Sequence, residues 1–499
     1  MSETGTAALY GAAAVVYDRR MTRLTKLAAA TLLALVPLAP CLAWEDHARL
    51  SRVALGSEPW AKEEVQAEGL ERFLEAEKGP IAKALADFEA RAPKELAYYP
   101  PLPPELAFKG EGSGPALRAA FLAAIRLNPD SKLVLYLKPD AGAARTRPPL
   151  PVAAVDPFDG RFVNRPFETL AEGERVAALE VLATASDEPD YGLDCGLYED
   201  NGTEAGKRYG LGVQPFGNPA LDYGSQAPVH MTFAREDPII GLAAPFTKRS
   251  LADYRFRLCT LLARLAFAEG HPYWGCRFAG WAIHYVEDLC QPYHSSLLPG
   301  KSTLQMVSLN VFGSSRDVND AMILLSNRHA IVEDYAYRAV VAGSAAIESA
   351  LAKGALRSGD GYRAGWLYDV AAARAFARGR ELDRLVGAGF PARYASDPSY
   401  DYGASNSKEP REFDPYAHLA KQGNDKAAAF EAFLAGSFSD LGALVREYAA
   451  FARDPAAKEG PRKAPFDARP WIDAAIPAAL LVLVAVLIVA ARRRKAARA

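Results

Sequence analysis

This chain has few histidines, few cysteines and almost no net charge, and each of these features limits the functions that it can have. The 499 residues include seven histidines and five cysteines, and the formal net charge is -2 at pH 7. So small a net charge argues against a protein that binds nucleic acid by bulk electrostatic attraction, although it leaves a local basic groove possible. Half of the residues are hydrophobic, which is enough for a substantial core. We find no internal repeat.

The N-terminal region has the pattern of a secretory signal. From Met21 the chain carries a basic segment with Arg23 and Lys26, an apolar run over residues 27–38 and a small-residue cleavage pattern that ends at Ala43. We therefore expect everything up to Ala43 to be a signal region, with Met21 as the true start. The apolar run is too short to span a bilayer comfortably, so a retained anchor is the weaker alternative.

The C-terminal region predicts a membrane anchor. Residues 474–491 are uncharged and apolar, and at ~1.5 Å per residue they just reach across a ~30 Å hydrocarbon core. The basic tail at 492–499 should stay on the cytoplasmic side. Residues 458–473, with their prolines, predict a linker. We therefore expect an exported, membrane-anchored protein whose body, residues 44–457, lies outside the cytoplasm, although a sorting tail that is later clipped is an alternative.

Four cysteines would remain after removal of the signal region, namely Cys195, Cys259, Cys276 and Cys290. In an exported protein an even number of cysteines permits two disulfides, with three possible connectivities. Cys276 and Cys290 would lie about four turns apart on one helix and would not pair with each other there.

Helical patterns dominate the body of the chain, so the predicted class is mainly α. We predict helices over residues 62–91, 116–127, 167–184, 250–288, 317–343, 364–388 and 425–453. Proline-rich stretches flank a strand-like alternation at 131–137, so residues near 90–165 should form a less regular insertion. Residues 394–416, rich in Asp, Ser, Pro and Tyr, predict a long loop.

The strongest local signal lies at the end of the helix predicted from about Tyr273. His284 and Asp288 are four residues apart, so both side chains emerge from one helical face and could share a metal ion. Pro292 ends or kinks the helix, and His294 then projects from another direction. Taken alone, a histidine and an acid at this spacing are more often a surface pair than metal ligands.

A second pair with the same spacing, His329 and Glu333, lies on another predicted helix. Together with His47 and His230 upstream, these segments contain five of the seven histidines. Zinc sites of this kind combine neutral imidazole with carboxylate oxygen. Scarce histidines placed in this way predict a metal cluster.

The segment from Arg255 to His294 resembles the core helix pair of bacterial zinc-dependent phospholipases C and fungal single-strand nucleases. In that superfamily the helix pair ends in H-x3-D-x5-H, with a proline two residues before the last histidine. The matching residues are His284, Asp288, Pro292 and His294. The resemblance is closest over residues 250–340, extends to 44–55 and 170–235, and is absent beyond about 390.

The resemblance also implies ligands on either side of this segment. The phospholipases continue with H-x3-E and the nucleases with H-x3-D, so His329 and Glu333 have the phospholipase form. Upstream, a ligand Asp often follows a helix in a Pro-Asp-Tyr context. Asp190 has that context, with Asp194 as an alternative, and His230 would be the later histidine ligand.

The mature N-terminus is the most distinctive part of the resemblance. Family members begin with a tryptophan whose free amino group and carbonyl both bind zinc, so signal cleavage itself creates a ligand. Cleavage after Ala43 would expose Trp44, and His47 is the histidine that follows. Only two residues separate Trp44 from His47, which is closer than the family pattern.

Three zinc ions are therefore implied by the resemblance. Their ligands would be Asp190, His230 and His284 for one ion, His294, His329 and Glu333 for a second, and Trp44 with His47 for a third, with Asp288 bridging the first and third. A close metal pair lowers the pKa of a bridging water, so hydroxide is available at neutral pH, while the remaining ion stabilises the phosphoryl and leaving oxygens. Asp288 and Asp190, the latter as general base, are the predicted catalytic residues.

Three classes of function are compatible with these residues. The first is a phospholipase C-like phosphodiesterase acting on phospholipid head groups, favoured by Glu333 and by a tether that holds the site near a membrane. The second is a single-strand nuclease with 3'-nucleotidase activity, which would need aromatic stacking surfaces and a basic track; no basic run lies near the motifs. The third is a non-catalytic surface domain in which zinc only holds helices together. The sequence leaves the natural substrate and the oligomeric state open.

Overall fold

A computed structural model describes residues 46–140, 142–158, 167–217, 219, 222–402 and 413–462. Helices account for 62% of these residues and strands for 3%, which confirms the mainly α class. The signal region, Trp44, the predicted anchor at 474–491 and the basic tail lie outside the described residues, as does most of the predicted linker.

The described residues form helices of very different length, together with four short strands. The helices are α1 His47–Leu55, α2 Leu70–Glu95, α3 Gly114–Ala124, α4 Ala178–Ser186, α5 Glu204–Arg208, α6 Asp222–His230, α7 Pro238–Ala243, α8 Ala252–Ala268, α9 Pro272–Leu289, α10 Pro292–Ser295, α11 Thr303–Phe312, α12 Ser315–Val341, α13 Ala345–Lys353, α14 Ala373–Gly389, α15 Ala392–Ala395, α16 Pro415–Gln422 and α17 Asp425–Arg453. The strands are β1 Glu64–Gln66, β2 Tyr136–Leu137, β3 Glu168–Thr169 and β4 Arg175–Ala177; β1 pairs with β4 and β2 with β3, both antiparallel.

Helix α9 lies at the centre of the fold. Every residue from Tyr273 to Leu289 is buried, because α8, α4 and α17 pack around it. Helices α8 and α9 are joined by the short turn at residues 269–271 and form a helical hairpin. A helix that is buried on all faces needs a partner for each polar side chain it carries. On α9 the ionisable side chains of this kind include Arg277, His284, Glu287 and Asp288.

Two buried ion pairs hold the segment after α4 against this hairpin. Arg277 donates from Nε and Nη2 to the two carboxylate oxygens of Glu188, at 3.0 and 2.6 Å. Arg255 on α8 pairs with Asp194 at 2.6 Å. Because Glu188 and Asp194 flank Asp190 in the chain, the two pairs fix that residue beside α9.

Helix α17 is long and apolar enough to cross a membrane when judged by length and composition alone. In this fold 56% of its most apolar window is buried inside the protein. Near its middle, Asp440 accepts hydrogen bonds from Arg374 and Arg378, at 2.9 and 2.8 Å. Core helices of folded domains pass the same test, so α17 is weak evidence for membrane association.

Several predicted boundaries are wrong, and the reasons are physical. The helix predicted for 167–184 begins only at Ala178, because the preceding residues form β3 and β4, whose partner strands lie far away in sequence. The strand-like alternation at 131–137 yields only the two residues of β2. The helix predicted for 62–91 begins only at Leu70, because residues 64–66 form β1, and it continues past Pro93 to Glu95.

The four cysteines are buried, and no disulfide joins any two of them in the described part of the chain. Burial raises the pKa of Cys259 and Cys276 to about 12, which keeps both as thiols at neutral pH. They therefore behave as small apolar side chains within the core.

Candidate metal centre

The structure brings together all eight predicted ligand residues that it describes. Three groups of ligand atoms converge, and within each group the atoms lie within 4.8 Å of one another. The groups are His47, His284 and Asp288; Asp190, His230 and His284; and His294, His329 and Glu333. Buried groups of imidazole and carboxylate of this kind could hold metal ions.

Helices α9 and α12 each supply one pair of these residues with a spacing of four. On α9, Nε2 of His284 lies 3.2 Å from Oδ2 of Asp288. On α12, Nε2 of His329 lies 2.5 Å from Oε1 of Glu333. His294 belongs to α10, where the break after α9 turns the chain, and its Nε2 lies 3.0 Å from Nε2 of His329. The turn between α9 and α10 thus connects the two pairs.

His47 is the first residue of α1 and enters the cluster from the N-terminal side. Asp46 precedes it in the left-handed region, with φ of 86°, and its carboxylate caps α1 by accepting a hydrogen bond from the backbone of Arg49. Aspartate tolerates this conformation better than most residues because its side chain bonds to the local backbone. The cap orients the first turn of α1 so that His47 points inward.

Backbone carbonyls fix the protonation pattern of two imidazoles. Nδ1 of His284 lies 2.8 Å from the carbonyl oxygen of Ser186, and Nδ1 of His294 lies 2.8 Å from that of His230. A carbonyl can only accept, so Nδ1 carries the proton in each ring and Nε2 of the neutral ring has a free lone pair. This arrangement is typical of histidines that bind a metal through Nε2.

Several buried polar atoms in the cluster have no hydrogen-bond partner among the described residues. They include Nε2 of His47, Oδ1 of Asp190 and Oδ1 of Asp288. Nε2 of His47 lies 3.6 Å from Oδ2 of Asp190 and 3.7 Å from Oδ1 of Asp288. These separations are too long for hydrogen bonds, but two atoms bound at ~2.1 Å to one tetrahedral ion would lie ~3.4 Å apart. The donor set therefore fits zinc.

Burial and the neighbouring charges together shift the pKa values of the cluster's members in different directions. Burial raises the pKa of Asp190 to about 7, although the neighbouring His284 and His230 act to lower it. Burial lowers the pKa of His47 well below its usual value, which favours the neutral ring that binds zinc. Burial also opposes protonation of His230, but the Asp288 carboxylate outweighs it and raises the pKa to about 10. A divalent cation would compete with that proton.

Asp190, rather than Asp194, faces the other ligand residues. Oδ1 of Asp190 lies 3.8 Å from both Nδ1 of His230 and Nε2 of His284. Asp194 is bound by Arg255 and by the hydroxyl of Tyr285, and it lies behind His230, 3.6 Å from the outer ring nitrogen. It can orient His230 without reaching the cluster.

Sequence reasoning missed Glu287, which contacts His47 and stands next to Asp288 in the strongest motif. The sequence feature that could have revealed Glu287 is its position on α9, a helix with few other charged residues. A carboxylate buried in such a helix needs a partner. The predicted pairs lie on one helix each, whereas Glu287 and His47 are separated by 240 residues.

The cluster lies deep in the protein but has one more accessible side. Asp190 and His329 are each 6% exposed, while the other six described ligand residues are at most 2% exposed. Asp190 and His329 are therefore the described ligand residues that are nearest to solvent.

Comparison with known proteins gives no family assignment: no family model, no curated protein and no solved structure matches this chain. The function is therefore inferred from the geometry of the cluster.

Proposed function

We propose that this chain is a zinc-dependent phosphodiester hydrolase, phospholipase C-like, with three zinc ions. The observation that carries the proposal is the burial of eight imidazole and carboxylate side chains in one connected cluster. Three tetrahedral ions offer ~12 positions, so eight side chains and an N-terminal residue would leave some positions open. Open positions distinguish catalytic from structural zinc sites.

The geometry suggests how the ligands would be shared. Asp190, His230 and His284 would hold one ion, His294, His329 and Glu333 a second, and His47 with Trp44 a third. Asp288 suits a bridging role because its Oδ1 lies 3.7 Å from Nε2 of His47, whereas its Oδ2 lies 2.9 Å from Nδ1 of His230. When bound, zinc would supply an activated water and would stabilise charge on the phosphoryl oxygens.

Asp190 is the residue best suited to accept a proton in the reaction. With His329, its side chain is the most accessible of the eight described ligand residues, each being 6% exposed. A general base must come within hydrogen-bond reach of the proton that it removes, and accessibility favours Asp190 for this role. The other carboxylate facing both imidazole groups, Asp288, is fully buried and is held below its usual pKa by His284 and His230, although burial opposes this.

Metal analysis combined with hydrolysis assays on the protein from which the signal region has been removed tests the proposal. We expect about three zinc ions per chain and release of p-nitrophenol from p-nitrophenylphosphocholine, lost on chelation and restored by zinc. Phosphatidylcholine should be cleaved faster than single-stranded DNA or RNA. Preferred cleavage of nucleic acid would instead identify a nuclease. Bound zinc without hydrolysis of either substrate would identify a non-catalytic zinc-stabilised domain.

The contribution of Trp44 has its own test. An amide nitrogen within the chain cannot replace a free amine as a ligand, so a precursor with an uncleaved signal should be less active. Sequencing of the mature N-terminus should give Trp44 as the first residue. Any other start would remove Trp44 from the proposed ligand set and leave the eight described residues in place.

A further inference from the structure

An apolar groove lies between α7, α11 and the start of α12. The residues that line it are all apolar and include Ile240, Met306, Val307 and Leu309 from the first two helices. The hydroxyl of Thr303 donates to Asp237 at 3.3 Å, which ties the starts of α7 and α11 together. Neither charged nor aromatic groups line this groove, so it lacks what a nucleotide base would need for recognition.

The same groove lies along the face of α12 that carries two of the ligand residues. Met322 and Val318 line the groove and precede His329 by seven and eleven residues. At 3.6 residues per turn, both lie within ~20° of the direction of His329 around the helix, and Met322 lies ~10 Å from it along the axis. One face of α12 therefore carries the apolar groove first and the metal ligands two turns later.

A second wall of the groove also lies next to a segment that supplies a ligand residue. Leu297 and Leu298 line the groove, only three and four residues after His294. The backbone N–H of Leu297 donates to Glu236 at 2.7 Å, and this bond holds the wall against the segment that leads into α7. The backbone of His294 in turn accepts a hydrogen bond from Thr232 at 2.8 Å. Both walls thus extend directly from segments that supply ligands.

Exposed apolar side chains lie on the two helices, α7 and α11, that border the groove. Leu242 on α7 is 69% exposed, and Leu304 and Phe312 on α11 are 73% and 70% exposed. In the described part of the chain these are the three most exposed of the five large hydrophobic side chains that stand out in this way. Their concentration on the two helices that border one apolar groove marks a surface for an apolar ligand.

We propose that this groove binds an acyl chain of a lipid phosphodiester whose phosphate lies at the metal centre. The proposal rests on the proposed function, because it places the scissile group at the zinc ligands. The distance of ~10 Å between Met322 and His329 along α12 is of the order of the separation between a phospholipid phosphate and the first methylenes of its chains. The exposed Leu242, Leu304 and Phe312 would then rest against the lipid surface from which the chain is drawn.

Blocking the groove from within tests this assignment. Val307→Trp adds an indole inside the groove, and Ser308→Trp, one residue along the same helix on its exposed face, is the matched control. Ala243→Trp blocks the groove from the α7 wall at an exposed position, so it provides a second variant that does not depend on the packing of α11. All variants are made in the zinc-loaded protein after removal of the signal region.

Two phosphodiesters with the same head group separate the acyl chain from the chemistry. For Val307→Trp and Ala243→Trp we expect kcat/KM on phosphatidylcholine vesicles to fall at least about tenfold, with p-nitrophenylphosphocholine hydrolysis within about twofold of the wild type. Ser308→Trp should leave both within about twofold. Equal loss on both substrates with both blocking variants, or no loss on either, would overturn the groove assignment while the hydrolase stands.

A binding measurement keeps the groove testable if the hydrolase proposal fails. Monomeric palmitoyl lysophosphatidylcholine is titrated calorimetrically into each protein, and the two blocking variants should bind it about tenfold more weakly than the Ser308→Trp control. If the wild type hydrolyses neither substrate but this difference persists, the function fails and the acyl site stands. Equal binding by all variants rejects the site. A wild-type dimer that the blocking variants convert to monomer would also reject it, because a second copy would be the occupant.

Discussion

Nδ1 of His47 lies 2.7 Å from Oε2 of Glu287, and both side chains are fully buried. Ser51, one turn further along α1, donates from its hydroxyl to the other carboxylate oxygen at 3.0 Å. The contact sets the ring of His47 so that Nε2 faces Asp190 and Asp288. Glu287 is therefore expected to control zinc binding without touching the metal.

Glu287→Ala should weaken zinc binding at the site that includes His47. Loss of a carboxylate behind a histidine ligand commonly costs 10–100-fold in metal affinity, and we expect a loss in that range, at least about tenfold. Competition with a chelator of known affinity measures it. Ser51→Ala is the matched control, since it removes a bond to the same carboxylate but leaves His47 in contact. Equal affinities in the two variants would contradict the role of Glu287.

Lys138→Met should destabilise the protein and loosen its N-terminal segment. The buried ammonium group of Lys138 contacts the carboxylates of Asp46 and Asp187, and both would lose this cation in the interior. Breaking a buried ion pair in this way costs ~3–5 kcal/mol of unfolding free energy. Urea denaturation of the variant against Lys132→Met, an exposed lysine, checks it. A cost below ~1 kcal/mol, as for a surface pair, would be inconsistent with this reasoning.

Asp288→Asn should abolish hydrolysis of both phosphocholine substrates and lower the zinc content. An amide offers one oxygen where the carboxylate offers two, so it cannot bridge two ions. We expect kcat/KM to fall at least about a thousandfold and the zinc content to fall by about one ion per chain. Asp320→Asn, a surface change on α12, should affect neither. Unchanged hydrolysis by Asp288→Asn would reject the proposed mechanism.

Asp253→Asn should stabilise the protein at neutral pH and leave it unchanged at acid pH. Burial raises the pKa of Asp253 from 3.8 to about 6, although Arg257 acts to lower it. The folded state therefore binds the proton more tightly than the unfolded state, and the resulting stabilisation is lost as the pH rises from about 4 to about 6. At pH 7 the ionised group costs ~2–3 kcal/mol, which the amide would remove.

Unfolding in urea at pH 4 and pH 7 measures this difference between Asp253→Asn and the wild type. Asp87→Asn, at an exposed position, is the control for the change of charge. Equal effects of Asp253→Asn at the two pH values would show that the carboxylate is not penalised by burial.

The parts of the site that lie on one helix could be predicted from the sequence. A spacing of four residues places two side chains on one helical face regardless of the rest of the fold, and this holds for His284 with Asp288 and for His329 with Glu333. The helices that carry them could also be predicted, since α12 runs from Ser315 to Val341 against a prediction of 317–343.

What depends on contacts across the chain could not be predicted. The choice between Asp190 and Asp194 is made by Arg255, which takes Asp194 as its partner in the interior. Glu287 gains its role only from His47. Helix α11 was not predicted either. Some of its apolar residues face outward, so the helix does not show the one-sided apolar pattern of a core helix.

Helix α17 packs against the central helix α9 and also contacts the start of the described chain. It packs against α1, and Arg446 on α17 donates to the carbonyl oxygen of Ala54 on α1 at 2.9 Å. Ribosomes make the N-terminal ligand His47 first and the helix that braces it nearly 400 residues later. A nascent chain released before residue 425 would therefore contain every described ligand residue but lack the helix that supports α1. We expect all the metal ions to bind only after synthesis of the chain is complete.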